Sequence, residues 1–175
     1  IGVGREDGIK KGEFCAIYYI SDTYRVMESS TFWLSDTPEN VSIGWDAALE
    51  RICTYGLFEH KQSKKRIWVF NTHFDHMGEI ARRKSSELIL ESIKDLNNFS
   101  GPIILMGDFN SLPNSRPVHT ILKELKDSFN ISLNKPKGPK GTYNGFNEVQ
   151  QIEKRIDYVY LKNIDVLNHE HIDDR

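Results

Sequence analysis

Six runs of apolar residues divide the chain: Phe14–Ile20, Tyr24–Leu34, Ile52–Phe58, Arg66–His73, Ile103–Met106 and Arg155–Leu161. Together they are rich in Ile, Val, Tyr, Phe and Trp, and they alternate with period two or stay apolar throughout, as strands half or fully buried in a sheet do. One stretch breaks that pattern. Over Gly78–Phe99, the residues Ala81, Leu88, Ile89, Ser92, Ile93 and Leu96 fall on one side of a helical wheel with charges on the other, which predicts an amphipathic helix. Arg116–Lys126 fits a shorter one. Four strands, a helix, a strand, a helix and a last strand predict an α/β layered sandwich with much antiparallel pairing. Pro, Gly and polar turn residues mark long loops at Ser35–Asp46 and Asn134–Gly145, and long ordered loops often bind ligands. His60–Arg66 reads as a hairpin tip with a solvated charge run.

A chain of 175 residues is long enough for one domain with a substantial core, and a net charge of −2 argues against a surface built throughout to hold nucleic acid. A local basic patch stays open. Cys15 and Cys53 sit inside apolar segments and read as small buried side chains, with no metal or disulfide spacing. No apolar run approaches the length of a membrane span. The first residue is Ile1 rather than Met, so a processed or omitted N-terminal segment is expected, and the compartment and oligomeric state stay open.

The chemistry gathers where strands end. In "PIILMGDFNS" the buried run Ile103–Met106 delivers Asp108 and Asn110 into a turn. Residues two apart on an extended chain share a face, so a base or metal ligand would stand beside a hydrogen-bond donor. The competing reading is a turn in which both merely cap backbone groups. In "VFNTHFDH" the residues His73, Asp75 and His76 cluster between a strand and a helix, where α/β proteins place ligand sites. Arg82, Arg83 and Lys84 then occupy first turns that disfavour cations. A bound anion would offset them, with Arg82 facing the site and Lys84 in solvent; otherwise all three are solvated. In "EKRIDYVYL", Asp157 interrupts an apolar strand and requires a partner, either a histidine whose tautomer it fixes or a cation such as Arg155.

The motifs "NTHFDH", "PIILMGDFNS", "GTYNGF" and "RIDYVYL", in this order and spacing, resemble the endonuclease/exonuclease/phosphatase superfamily of metal-dependent phosphoesterases over nearly the whole chain. "IGVGREDG", "GEFCAIYY", "TFWLSDTP" and "GWDAALERICTY" resemble a bacterial branch known as metal-dependent hydrolases. The resemblance implies a four-layer α/β/β/α sandwich of two mixed sheets, deoxyribonuclease-I-like, with residues 1–175 as the interior of a single catalytic domain. It implies that Asp108 orients or deprotonates water or ligates a metal, and that Asn110 donates to a phosphate oxygen or shares the metal. By the same resemblance His73 contacts the scissile phosphate and Asp157 holds a histidine. Arg5, His76 and Arg82 are candidate phosphate contacts, Trp45 and Tyr143 candidate pocket walls, and Glu13 lies in a branch motif without an assigned role.

The superfamily's opening Asn, the Glu of its "QE" segment and its terminal "SDH" are absent from this sequence, so the chain is expected to be incomplete at both ends. The implied activity is Mg²⁺- or Mn²⁺-dependent hydrolysis of a phosphoester in a small molecule or head group, as a phosphodiesterase or phosphatase. The alternatives are a nuclease acting on DNA or RNA and a non-catalytic module that binds a phosphorylated ligand.

Overall fold

A computed structural model describes residues 1–98, 100–147 and 152–173; Phe99, the expected helix end, lies outside them. The strands are β1 (Tyr24–Trp33), β2 (Ile52–His60), β3 (Arg66–His73), β4 (Ile103–Asp108), β5 (Lys126–Asp127) and β6 (Asp157–Lys162), and the helices α1 (Glu79–Leu96), α2 (Arg116–Ile121) and α3 (Ser128–Ile131). The strands form one mixed sheet in the order β1-β2-β3-β4-β6-β5. The α/β class read from the sequence holds.

Among the named strands, only β3 and β4 pair in parallel. Parallel neighbours need a crossover, and α1 supplies it. Register places Trp68 beside Ile103, Phe70 beside Leu105, and Leu105 beside Tyr160. These side chains share one sheet face and pack with Ile89 and Ile93 of α1 and Val118 and Ile121 of α2 in the main core. Each large apolar side chain buried there contributes about 1.5–3 kcal/mol. The opposite face is covered over β2 and β3 by the first residues of the chain: Asn71 Nδ2 donates to Ala16 O at 2.8 Å, and Cys15 Sγ meets Ile52 O at 3.5 Å. Cys15 and Cys53 are free and buried, as expected.

Three of the differences from the sequence reading have a clear physical reason. Phe14–Ile20 forms no strand: a Gly4–Phe14 bridge and the Ile17 N–H bond to Ile1 O tie it down. Its alternation is real, since Cys15 and Ile17 are buried while Tyr18 is 92% exposed, but it reports burial without a ladder partner. Helix α2 stops at Ile121 instead of reaching Lys126, because the chain extends into β5 to pair with β6. Strand β6 begins at Asp157 rather than Arg155. Arg155 leaves the strand line to grip Asp127 with two nitrogens, at 2.6 and 3.1 Å, with its guanidinium over the Phe129 and Tyr158 rings.

Candidate active site

Three adjacent strands end level with one another. His73 pairs with Asp108 across β3 and β4, and Asp108 pairs with Asp157 across β4 and β6, so one row holds an imidazole and two carboxylates. Alternation from Asn71 puts His73 on the face away from the helices, where Glu13 approaches it: His73 Nδ1 lies 3.4 Å from Glu13 Oε2, and Nε2 lies 3.6 Å from Asp108 Oδ2. Gly107 makes the close pairing possible. Its φ is +137°, and a Cβ there would collide with the Thr72 carbonyl oxygen, so β4 can end beside β3 only with glycine.

The electrostatics split the row. Burial pushes the Asp108 carboxyl up to about 6, with Asp157 adding to the rise while the Asn110 amide and Arg51 oppose it. Asp157 is also raised, by burial, and Thr142 and His171 offset this in part. Like charges directly opposite in a ladder destabilise it. Burial, then Arg51, lowers His73 to about 4, with Glu13 opposing and Arg5 and His76 adding smaller effects. His73 is therefore neutral near pH 7, and its contacts with the carboxylates are not ion pairs.

Arg51 centres the other end. It is buried at the entrance to β2, with Nε 3.3 Å from Asp75 Oδ2, Nη2 3.0 Å from His76 Nδ1, and Nη1 3.8 Å from Glu13 Oε2. A guanidinium only donates, so His76 Nδ1 accepts and its proton sits on Nε2. Arg5 Nη1 donates to the same Glu13 oxygen at 2.5 Å. Asp75 Oδ1 accepts from the amides of Met77 and Gly78 at 2.9 and 2.7 Å. Burial alone would raise Asp75; the amides of Gly78, Met77 and Ala48, with Arg51, outweigh it and hold the carboxyl at about 2.

Asn110 departs from the extended-chain reading. Its φ is +44°, its N–H bonds Asp108 Oδ1 at 2.7 Å, and its Nδ2 donates to Phe74 O at 2.9 Å. The capping reading of this turn is the one the contacts follow: the Asn110 backbone closes on the Asp108 carboxyl, and its carboxamide is directed to Phe74 O. The Arg155 account of Asp157 does not hold, since Arg155 belongs to Asp127. The Asp157 N–H instead bonds Thr142 Oγ1 at 3.1 Å, with Tyr143 next in sequence, bridged to Lys154 and edge-on to Phe146.

The anion at the start of α1 is the chain's own. Asp46 Oδ2 and Oδ1 accept from the amides of Ile80 and Ala81 at 3.1 and 2.6 Å. Burial pushes this carboxyl up, but those amides and Arg82 bring it below its usual range. Arg82 Nη1 donates to Asp75 O at 3.0 Å, one residue from the carbonyl that Asn110 holds. Lys84 lies near Glu87, 3.6 Å away. Trp45 commits its indole N–H to Asp36 within its own loop, at 2.8 Å.

Residues 13–171 match the model of the Endonuclease/Exonuclease/phosphatase family. The chain belongs to this family. A mannosyl-6-phosphatase from Bacteroides thetaiotaomicron is 38% identical and superposes with a TM-score of 0.88, covering 93% of this chain and 62% of its own. A protein of unknown function from Enterococcus faecalis is 31% identical with a TM-score of 0.90, covering 100% of this chain and 69% of its own. An uncharacterized protein of Acanthamoeba polyphaga mimivirus is 43% identical over 83 residues, 45% of this chain and 30% of that one. The chain thus spans under two thirds of the phosphatase. Within this family frame, sequence reading passed over Arg51, Asp46 and Thr142. The one local signal was the arginine abutting a strand in "ERICTY".

Proposed function

We propose that the protein hydrolyses a phosphoester, with a phosphorylated small molecule or head group as substrate and Mg²⁺ or Mn²⁺ as cofactor. The observation that carries this reading is the polarity of the row. At one end Arg51 Nη1 and Arg5 Nε are buried donors without a hydrogen-bond partner, an arrangement suited to phosphate oxygens. At the other end burial raises the two carboxyls of Asp108 and Asp157, with Asp157 adding to the rise at Asp108. The likeness to a mannosyl-6-phosphatase supports a small phosphorylated substrate.

The donor set fits a hard divalent cation in part. Asp108 offers a carboxylate and Asn110 its amide oxygen, with one of the two Nδ2 hydrogens on Phe74 O; Mg²⁺ is held by one or two carboxylates plus water and substrate oxygens. No group of three His, Cys, Asp or Glu converges among the described residues. When bound, the cation would supply Lewis acidity at the phosphoryl oxygen. The chain's own residues do the rest. Arg51 and Arg5 hold the phosphoryl group, and neutral His73 and the second Asn110 N–H donate to oxygens that gain charge. Asp108, raised toward neutrality, accepts the proton of the attacking water.

The test is phosphate release from glucose 6-phosphate by the full-length protein, with Mg²⁺ or Mn²⁺ and with EDTA. Metal-dependent release is expected. Salt-sensitive cleavage of duplex DNA with no phosphate release would overturn the reading.

A further inference from the structure

Beside Asn110, between the start of α1 and the turn before α2, lies an open cleft of about 930 Å³ whose walls carry Arg82, Arg83, Arg116, Ser111 and Ser115. Its charges are unevenly committed. Arg83 bonds Glu87 at 2.9 Å and Arg82 bonds a carbonyl, but Arg116 pairs with no carboxylate among the described residues. Of the acids on the wall, Asp46 is held by the α1 amides, which leaves Glu79. The Ser111 and Ser115 hydroxyls are buried there without a hydrogen-bond partner, and Ser111 is only 4% exposed. A buried hydroxyl left unsatisfied is costly, and a serine hydroxyl reorients by turning one bond. Orphan donors beside arginines suit an acceptor-rich, anionic group.

We propose that this cleft receives a second anionic group on the alcohol half of the substrate, so that the protein selects phosphoesters whose leaving group carries a further phosphate or carboxylate. The proposal rests on the phosphoester reading of the adjoining site. Asn110 links the two regions, standing beside Asp108 and on the wall of the cleft. A doubly anionic substrate would then lie with one phosphate on Arg51 and its other anion on Arg83 and Arg116.

The experiment is calorimetric titration of the full-length Asp108→Asn variant, which prevents turnover, with glucose 6-phosphate and glucose 1,6-bisphosphate. The bisphosphate is expected to bind about tenfold more tightly, a gain in line with charge-assisted contacts to arginine, and Arg83→Ala/Arg116→Ala should bring the ratio of the two affinities close to one. Glucose 6-phosphate compared with 6-phosphogluconate, whose second anion is a carboxylate at C1, would separate a phosphate-specific cleft from a general anion site; preference for either anion supports the proposal. Equal affinities, a preference that survives the double variant, or no binding of any of these ligands overturns it. If the preference appears but wild-type protein releases no phosphate from any of them, the cleft stands and the hydrolase reading fails.

Discussion

Replacing Asp108 by Asn should stabilise the fold while removing the activity. In the unfolded chain this carboxyl titrates near 3.8, and in the folded protein at about 6. Between those values the unfolded state holds fewer protons, so stability falls as pH rises, and by pH 7 the whole cost is present. A shift of that size corresponds to about 3 kcal/mol at ~1.36 kcal/mol per unit. The side chain is 29% exposed, and solvent screening reduces the effect to about 1–2 kcal/mol. Asparagine keeps the oxygen that accepts from the Asn110 amide and loses the repulsion with Asp157. Urea unfolding in EDTA from pH 4 to 7 is the assay. The variant's advantage should grow by about 1–2 kcal/mol over that range, while its rate falls at least ~10²-fold. A difference that stays constant with pH would refute the electrostatic account.

Arg51→Met leaves the Asp75 carboxylate buried without its guanidinium and should cost about 3–5 kcal/mol in denaturant unfolding, with part recovered in Arg51→Met/Asp75→Asn; an equally unstable double variant would show that packing, not charge, was lost. Asp46→Ala frees the Ile80 and Ala81 amides, so hydrogen exchange should accelerate in the first turn of α1, and unchanged protection there would count against the cap. His73, held at about 4, should show no imidazole titration by NMR between pH 5.5 and 8 in metal-free protein; a midpoint near 6.5 would contradict its burial beside Arg51.

The strands that the sequence showed most plainly are those whose alternation is matched by a neighbour. Arg66–His73 emerges with its expected bounds because β2 and β4 flank it, whereas Phe14–Ile20 alternates just as well and forms no ladder. Periodicity reports which side is buried, not what lies alongside. The α2 boundary was missed because Leu125 continues the apolar spacing, while the contact that draws the chain into β5, Arg155 to Asp127, spans 28 residues. The site follows the same rule. His73 and Asp108 were legible as polar residues at strand ends, and Asp157 as a carboxylate interrupting an apolar strand. Arg51 and Asp46 were not, since each is defined by a partner 24 or 34 residues away.

In the proposed reaction the two ends of the row differ in which group would move a proton. In water a histidine holds its proton to higher pH than an aspartate. Here the order is inverted: burial and Arg51 lower His73 to about 4, while burial and Asp157 raise Asp108 to about 6. At pH 5 the proton therefore sits on the carboxyl and the imidazole is neutral. At pH 7 Asp108 is an ionised base of unusual strength, standing 3.6 Å from a histidine with no charge to pair with it. Anything cationic that binds only the folded state relieves that imbalance and is stabilising by linkage, just as an anion satisfies the orphan donors of Arg51 and Arg5. The fold thus has unpartnered donors on Arg51 and Arg5 and raised carboxyls on Asp108 and Asp157 in the same region, and in the proposed reaction a cation-bound phosphate would answer both.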